Sequence, residues 1–226
     1  MIQRSIEIAI RTLVETVLPA ECPACAGPLG DHLGGVCAPC WRESAGEIQP
    51  PHPVSLPGLA SFTSLGPYEG RLRQIIRCLK FSDLPGLAGP LGDRLVDRLR
   101  PVAEGIDLVV PVPLHRARRW RRGYNQAELI AAHVARGLDR PMSPRLLARQ
   151  RATASQRGRT RAERVANVHG AFRARDDRLA GKGVLLIDDV VTTGATIAEC
   201  ARILSAAGAG AVHVAAAART LSRIDT

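Results

Sequence analysis

Aromatic residues are scarce: Phe, Trp and Tyr together make up 3% of the 226 residues. Rings that do cluster are therefore a local concentration that asks for a reason. Long apolar runs are also missing, and no stretch approaches the length needed to cross a bilayer, so no membrane span is expected. The first helix candidate, Ile2 to Leu18, is interrupted by Glu7, Arg11 and Glu15 and lacks the clean apolar centre of a secretory signal. No internal repeat is present. Acidic residues are outnumbered, 21 against 31 Lys and Arg, which gives a formal charge of +10 and a pI near 10.3. That imbalance turns the expected partners toward anionic substrates and polyanions, nucleic acid included. Hydrophobic residues still reach 46%, which excludes a mostly disordered chain. The length allows one domain of ordinary size with a small appendage.

Six cysteines divide into four close together and two isolated ones, Cys78 and Cys200. Cys22 and Cys25 form one CxxC knuckle; eleven residues later Cys37 and Cys40 form another. Four thiolates in two knuckles suit tetrahedral zinc and leave no open position for a catalytic water, so the site reads as structural. A redox pair or free thiols are the alternatives. His32 lies between the knuckles, but four cysteines already complete a shell. Reduced thiols of this kind fit a reducing cytoplasm.

The rest of the chain is organised around Val184 to Thr196, VLLIDDVVTTGAT. Val184, Leu185, Leu186 and Ile187 form a β-favouring apolar run of the kind found in parallel strands covered on both faces. The strand is expected to end at Asp188 and Asp189, at its carboxyl end, where open α/β sheets place their ligands. Thr192, Thr193, Gly194, Ala195 and Thr196 then open into a helix carrying Ile197, Ala201 and Leu204, and free amides at a helix N-terminus favour an anion. Two carboxylates beside a phosphate would repel it unless they bind something else. Ribose hydroxyls, or a divalent cation, answer that need. An Asp-rich turn with an N-capping Thr is the structural alternative.

Taken in order, residues 1–48 read as a helix followed by the four-cysteine unit. Residues 49–58, with Pro50, Pro51, Pro53 and Pro57, read as a semi-rigid linker, and 59–226 as the main domain. Ala60 to Leu65 is a strand candidate. Leu72, Ile75, Ile76 and Leu79 mark a helix ending at Lys80 and Phe81, and Leu84 to Leu99 is a second helix. Asp107 to Val110 is another buried strand. After it, HRARRWRRGYNQ places Arg116, Arg118, Arg119, Arg121 and Arg122 around Trp120 and beside Tyr124. Arginine forks bind phosphate and the rings can stack on bases, so this loop is the candidate contact for single-stranded DNA; a solvated charged loop is the alternative. Asn125 to Leu138 reads as a helix. Arg149 to Arg164 is polar and basic, with Gln156, Glu163, Arg164 and Asn167 as candidates for a lid or an exposed loop. Gly208 reads as a helix C-cap and Ala211 to Ala218 as a last strand.

The thirteen-residue stretch, four apolar, two acidic, two apolar, then TTGAT, resembles the phosphoribosyl pyrophosphate (PRPP) signature of type I phosphoribosyltransferases. With CPAC and CAPCW, YEGRLRQIIRCLKF, VPVPLHRARRWRRGYNQA, TASQ and RAERVANVHGAF, nearly the whole chain resembles the ComF family of competence-associated phosphoribosyltransferase-like proteins. The resemblance implies an α/β fold: a type I phosphoribosyltransferase-like parallel sheet with flanking helices behind a small N-terminal zinc module. It implies that Asp188 and Asp189 hold the ribose hydroxyls. The loop Val190, Val191, Thr192, Thr193, Gly194, Ala195 and Thr196 would hold the 5-phosphate, Lys80 the pyrophosphate region, and magnesium would accompany PRPP. Two functions follow from it. One is a PRPP- and magnesium-dependent glycosyl transfer to an unknown acceptor, linked to DNA uptake and natural transformation. The other is a non-enzymatic accessory that binds single-stranded DNA and keeps the PRPP pocket as a sensor or relic, working with a competence helicase or uptake machinery.

Overall fold

The computed structural model describes residues 20–44, 59–151, 167–175 and 179–220. Its centre is a four-stranded parallel sheet, built from β3 (Ser61–Ser64), β4 (Leu108–Pro111), β7 (Gly183–Val191) and β8 (Ala211–Arg219), in the order β3-β8-β7-β4. Two short antiparallel pairs accompany it. β1 (His32–Leu33) pairs with β2 (Val36–Cys37) among the cysteines, and β5 (Leu147–Arg149) pairs with β6 (Phe172–Ala174).

Both faces of the sheet are covered, which is why its strands read as continuous apolar runs. Leu185, Ile187, Ala215 and Ala217 point into one core with α2 (Gly70–Phe81), α3 (Ala88–Leu99) and α5 (Gln126–Gly137), through Ile75, Leu79, Leu91, Leu95, Ile130 and Val134. Val184, Leu186, Val212 and Val214 point into the other, against Ile197, Cys200 and Leu204 of α6 (Ala195–Ala206) and against Leu147 and Phe172. The period-2 alternation of a strand thus feeds two cores from one sequence. Helices α3 and α5 pack closely because Gly92 has no side chain: a Cβ there would lie 2.5 Å from the His133 Cβ.

The cysteine unit shares the first core, with Cys22, Cys37, Cys40 and Trp41 buried in it. The short α1 (Ala38–Glu43) lies against α2 and α3. Arg94 of α3 stacks 4.9 Å from the Trp41 ring centre and donates to the Trp41 carbonyl (3.0 Å), and Arg71 of α2 pairs with Glu43 at 2.7 Å.

The elements differ from the sequence reading in three places. β7 does not stop at the carboxylates but continues to Val191, because β8 keeps pairing with it, Val190 with Ala218 and Val191 with Arg219. The arginine-rich stretch, expected as a loop, forms α4 (Arg116–Arg122); His115 Nδ1 caps it by accepting from the Ala117 amide (3.2 Å), and Gly123 at φ +77 ends it. Arg149, expected to open the polar basic segment, is the last residue of the strand Leu147–Arg149. The expected helix at 2–18, the linker at 49–58, and Gln156, Glu163 and Arg164 lie outside the described residues.

Candidate active site

β4 and β7 are neighbours, so the segments leaving their carboxyl ends face each other. Val112 donates to the Ile187 carbonyl (2.8 Å), which fixes Asp188 and Asp189 one step beyond the end of β4. The Asp189 amide donates to Asp188 Oδ1 (2.8 Å), a local bond that turns the first carboxylate. Asp189 Oδ1 lies 2.8 Å from Lys80 Nζ, from the last turn of α2, with each side chain 15% exposed. Residue Asp188 keeps some contact with solvent, yet its carboxyl is raised to about 7, first by desolvation and then by the charge of Asp189, with Lys80 opposing both.

Val191 leads into Thr192 and Thr193, and then Gly194 takes φ +73, a left-handed conformation open to glycine at little cost. Among the described residues no side chain caps α6, so its first-turn amides are available to a ligand. Carboxylates and amides line one cavity of about 1240 Å³, together with Lys80, Arg149, Trp120 and Arg122. A smaller cavity, about 690 Å³, lies between Ala132 and Met142, away from the carboxylates.

The proposed nucleic-acid residues have different surroundings. Trp120 is 90% exposed at the cavity. Arg119 pairs with Glu128 at 3.0 Å. Arg122 donates to Gln126 Oε1 (3.1 Å) and lies 5.1 Å from the Phe81 ring centre. Tyr124 is half-buried, and its hydroxyl donates to the Leu79 carbonyl (2.8 Å), which ties the chain after α4 to the helix that carries Lys80. The side chains of Arg116, Arg118 and Arg121 lie outside those described. Sequence reasoning missed Arg73, Arg77, Gln126 and Arg149, all of which line the cavity. Arg73 and Arg77 precede Lys80 at helical spacing, so periodicity carried a signal for them; Gln126 and Arg149 reach the cavity only through the tertiary fold.

The sulfurs of Cys22, Cys25, Cys37 and Cys40 lie within 4.8 Å of one another, and Cys25 and Cys37 are 3.8 Å apart. A zinc tetrahedron with bonds of about 2.3 Å needs sulfurs about 3.8 Å apart, so the cluster fits a four-thiolate metal with little movement. Amides of Gly27 and Cys37 donate to the sulfurs of Cys25 and Cys22 (3.4 Å each), which favours thiolate. Burial raises the Cys22 thiol, but amide hydrogen bonds outweigh it and bring it to about 7; burial pushes Cys40 up.

A family model for a phosphoribosyl transferase domain matches residues 125–225. DNA utilization protein YhgH of Escherichia coli (strain K12) is 32% identical over 225 residues, covering 90% of this chain and 99% of its own. Competence protein F of Haemophilus influenzae is 36% identical over 115 residues, half of each chain. The chain belongs to the ComF family. Among solved structures, the glutamine PRPP amidotransferase from B. subtilis complexed with ADP and GMP aligns at 22% identity and a TM-score of 0.40, over 58% of this chain and 26% of that one. As in the ComF reading of the sequence, a type I phosphoribosyltransferase-like parallel sheet with flanking helices stands beside a four-cysteine cluster able to hold a metal. Among the described residues no helix is long and apolar enough to cross a membrane.

Proposed function

We propose that this ComF protein is a PRPP- and magnesium-dependent phosphoribosyltransferase of the cytoplasm, transferring the ribosyl phosphate to an acceptor with release of pyrophosphate. The observation that carries the reading is the junction of three groups in one cavity: paired carboxylates, an uncapped helix N-terminus and a lysine 2.8 Å from Asp189. Asp188 and Asp189 would accept hydrogen bonds from the ribose diol. Thr192 to Thr196 would take the 5-phosphate with amides and hydroxyls. Lys80, released from Asp189 as the diol takes its place, would turn its charge to the departing pyrophosphate, where charge develops as the C1–oxygen bond breaks. Asp188 and Asp189 are the residues that would hold magnesium arriving with PRPP, and the ion would supply further positive charge there. The cysteine cluster would hold zinc in a structural role.

A second reading is favoured by Trp120, a large ring left 90% exposed on a basic helix. In it the protein binds single-stranded DNA as an accessory of uptake, consistent with the names of its relatives, and the pocket serves as sensor or relic. Calorimetry with PRPP and magnesium, followed by a pyrophosphate assay across nucleobases, separates the two. Binding with turnover is the expected result; binding without turnover favours the accessory, and no binding overturns the enzyme and the sensor.

A further inference from the structure

A ribose phosphate donor leaves much of the cavity unused. Its volume of about 1240 Å³ exceeds the roughly 300–1000 Å³ of a pocket for one small ligand. The wall beyond Lys80 is cationic. Arg73, Arg77 and Lys80 stand at i, i+4 and i+7 on α2, so they share one helical face, and all three line the cavity. Lys80 is engaged by Asp189. Arg73 and Arg77 are exposed, and among the described residues no carboxylate pairs with either; the Arg73 guanidinium lies 5.9 Å from the Tyr68 ring centre.

Two further features share that space. Trp120 presents a ring that is 90% exposed. Gln126, 1% exposed, has its Oε1 held by Arg122, which fixes the amide so that Nε2 is the free end, and among the described residues Nε2 has no hydrogen-bond partner. A buried donor without a partner is costly, and a ligand oxygen would relieve it.

We propose that this wall is a second-substrate subsite for a nucleoside phosphate, with Arg73 and Arg77 taking the phosphate, Trp120 stacking on the base and Gln126 donating to a ligand oxygen. The proposal rests on reading Asp188 to Thr196 as the ribose phosphate site. A free nucleobase carries no charge to match two uncompensated guanidinium groups, whereas a nucleotide matches both the charge and the ring. The same chemistry is offered by a mononucleotide and by the end of a single strand.

The test is calorimetry on the full, metal-loaded chain held at saturating ribose 5-phosphate, titrated with thymidine, thymidine 5′-monophosphate and 5′-phosphorylated (dT)4. The monophosphate is expected to bind roughly tenfold or more tighter than thymidine, the effect of a charge-assisted contact. Arg73→Gln with Arg77→Gln should remove that difference, and Trp120→Ala should weaken thymidine and the monophosphate alike. If the strand binds more tightly than the monophosphate, the natural ligand is a strand end; equal binding assigns a mononucleotide, and both support the subsite. Equal affinity of thymidine and its monophosphate overturns it. So does displacement of ribose 5-phosphate by the monophosphate, one for one, since the nucleotide would then occupy the phosphate loop. Failure of ribose 5-phosphate itself to bind defeats the donor reading instead, and the thymidine comparison made without it still decides whether Arg73 and Arg77 hold a phosphate.

Discussion

Lys80 Nζ and Asp189 Oδ1 lie 2.8 Å apart across the candidate site, and this ion pair joins the C-terminus of α2 to the carboxyl end of β7. Asp188, beside it, faces Asp189 on its own strand, Lys80 from α2 and Arg149 from β5. Its carboxyl is raised to about 7, from a usual value of 3.8, by desolvation first. A raised carboxyl means that the folded chain binds this proton more tightly than the unfolded one. Stability from Asp188 is therefore fully present below its unfolded value and is lost as pH rises toward 7. Thermal melts of the ligand-free protein should show a component that declines between about pH 4 and 7, and Asp188→Asn should remove it. Ribose 5-phosphate with magnesium should show the opposite trend, tightening as pH rises through 7, since the ionised carboxylate is the better acceptor. A ligand affinity flat across this range would contradict the assignment.

Replacing Asp189 with Asn tests the same pair from the other side. It keeps the size but gives up the charge that holds Lys80, and it weakens the acceptor for the ribose diol. A loss of about 1.5–3 kcal/mol, roughly ten- to a hundredfold in PRPP affinity, is expected by calorimetry. Ribose 5-phosphate should still bind weakly through the loop.

The gently purified protein should carry about one zinc, measured by elemental analysis, because a unit this small gains its folding energy from the metal. Trp41 is buried against Arg94 beside the cluster, so chelation should also change tryptophan fluorescence. Cys22→Ser or Cys37→Ser should do the same without chelator. Four freely titrating thiols in the native protein would refute the site.

The parts legible in the sequence were those whose residues act as neighbours in the chain. Val184 to Ile187 announce a two-faced strand, Asp188 to Thr196 keep strand, carboxylates and loop in one run, and the CxxC pairs sit close together. Helix α4 was hidden because five arginines around Trp120 carry almost no apolar period; its start and stop depend on His115 and Gly123. β5 and β6 are three residues each, too short to show alternation, and the residues that pair are separated by more than twenty positions. The gathering of Arg73, Arg77, Gln126 and Arg149 at the cavity is tertiary, and no local pattern specifies it as a site.

Glu199 offers a test of how α6 is anchored. Its side chain is 7% exposed; Oε1 accepts from the Gly170 amide (2.8 Å) and from Arg202 (2.9 Å), while His169 lies 3.7 Å from Oε2. The hydrogen bond from Arg202 leads in holding the Glu199 carboxyl below its ordinary value. A depressed carboxyl stabilises the fold above the unfolded value and loses that contribution as pH falls through the folded one. Glu199→Ala leaves the Gly170 amide without its acceptor and should cost about 1–3 kcal/mol in denaturant unfolding, less at acid pH. Unchanged stability at neutral pH would show that the contact does not hold β6 to the helix.

The exposed ring of Trp120 and the ion pair of Arg119 with Glu128 make separate claims about DNA. Stacking on a ring is worth about 1–3 kcal/mol per base, so Trp120→Ala should weaken single-stranded DNA by about that amount with little dependence on sequence. Arg119 is already paired at 3.0 Å, so a phosphate must compete with Glu128 for it. Glu128→Gln should therefore tighten DNA binding, most at low salt, where exposed charges are least screened. Fluorescence anisotropy with a labelled oligothymidylate at several salt concentrations measures both effects. If Trp120→Ala and the replacement of Arg119 and Arg122 by Ala bind as well as the parent at every salt concentration, α4 is a solvated basic helix and DNA is held elsewhere.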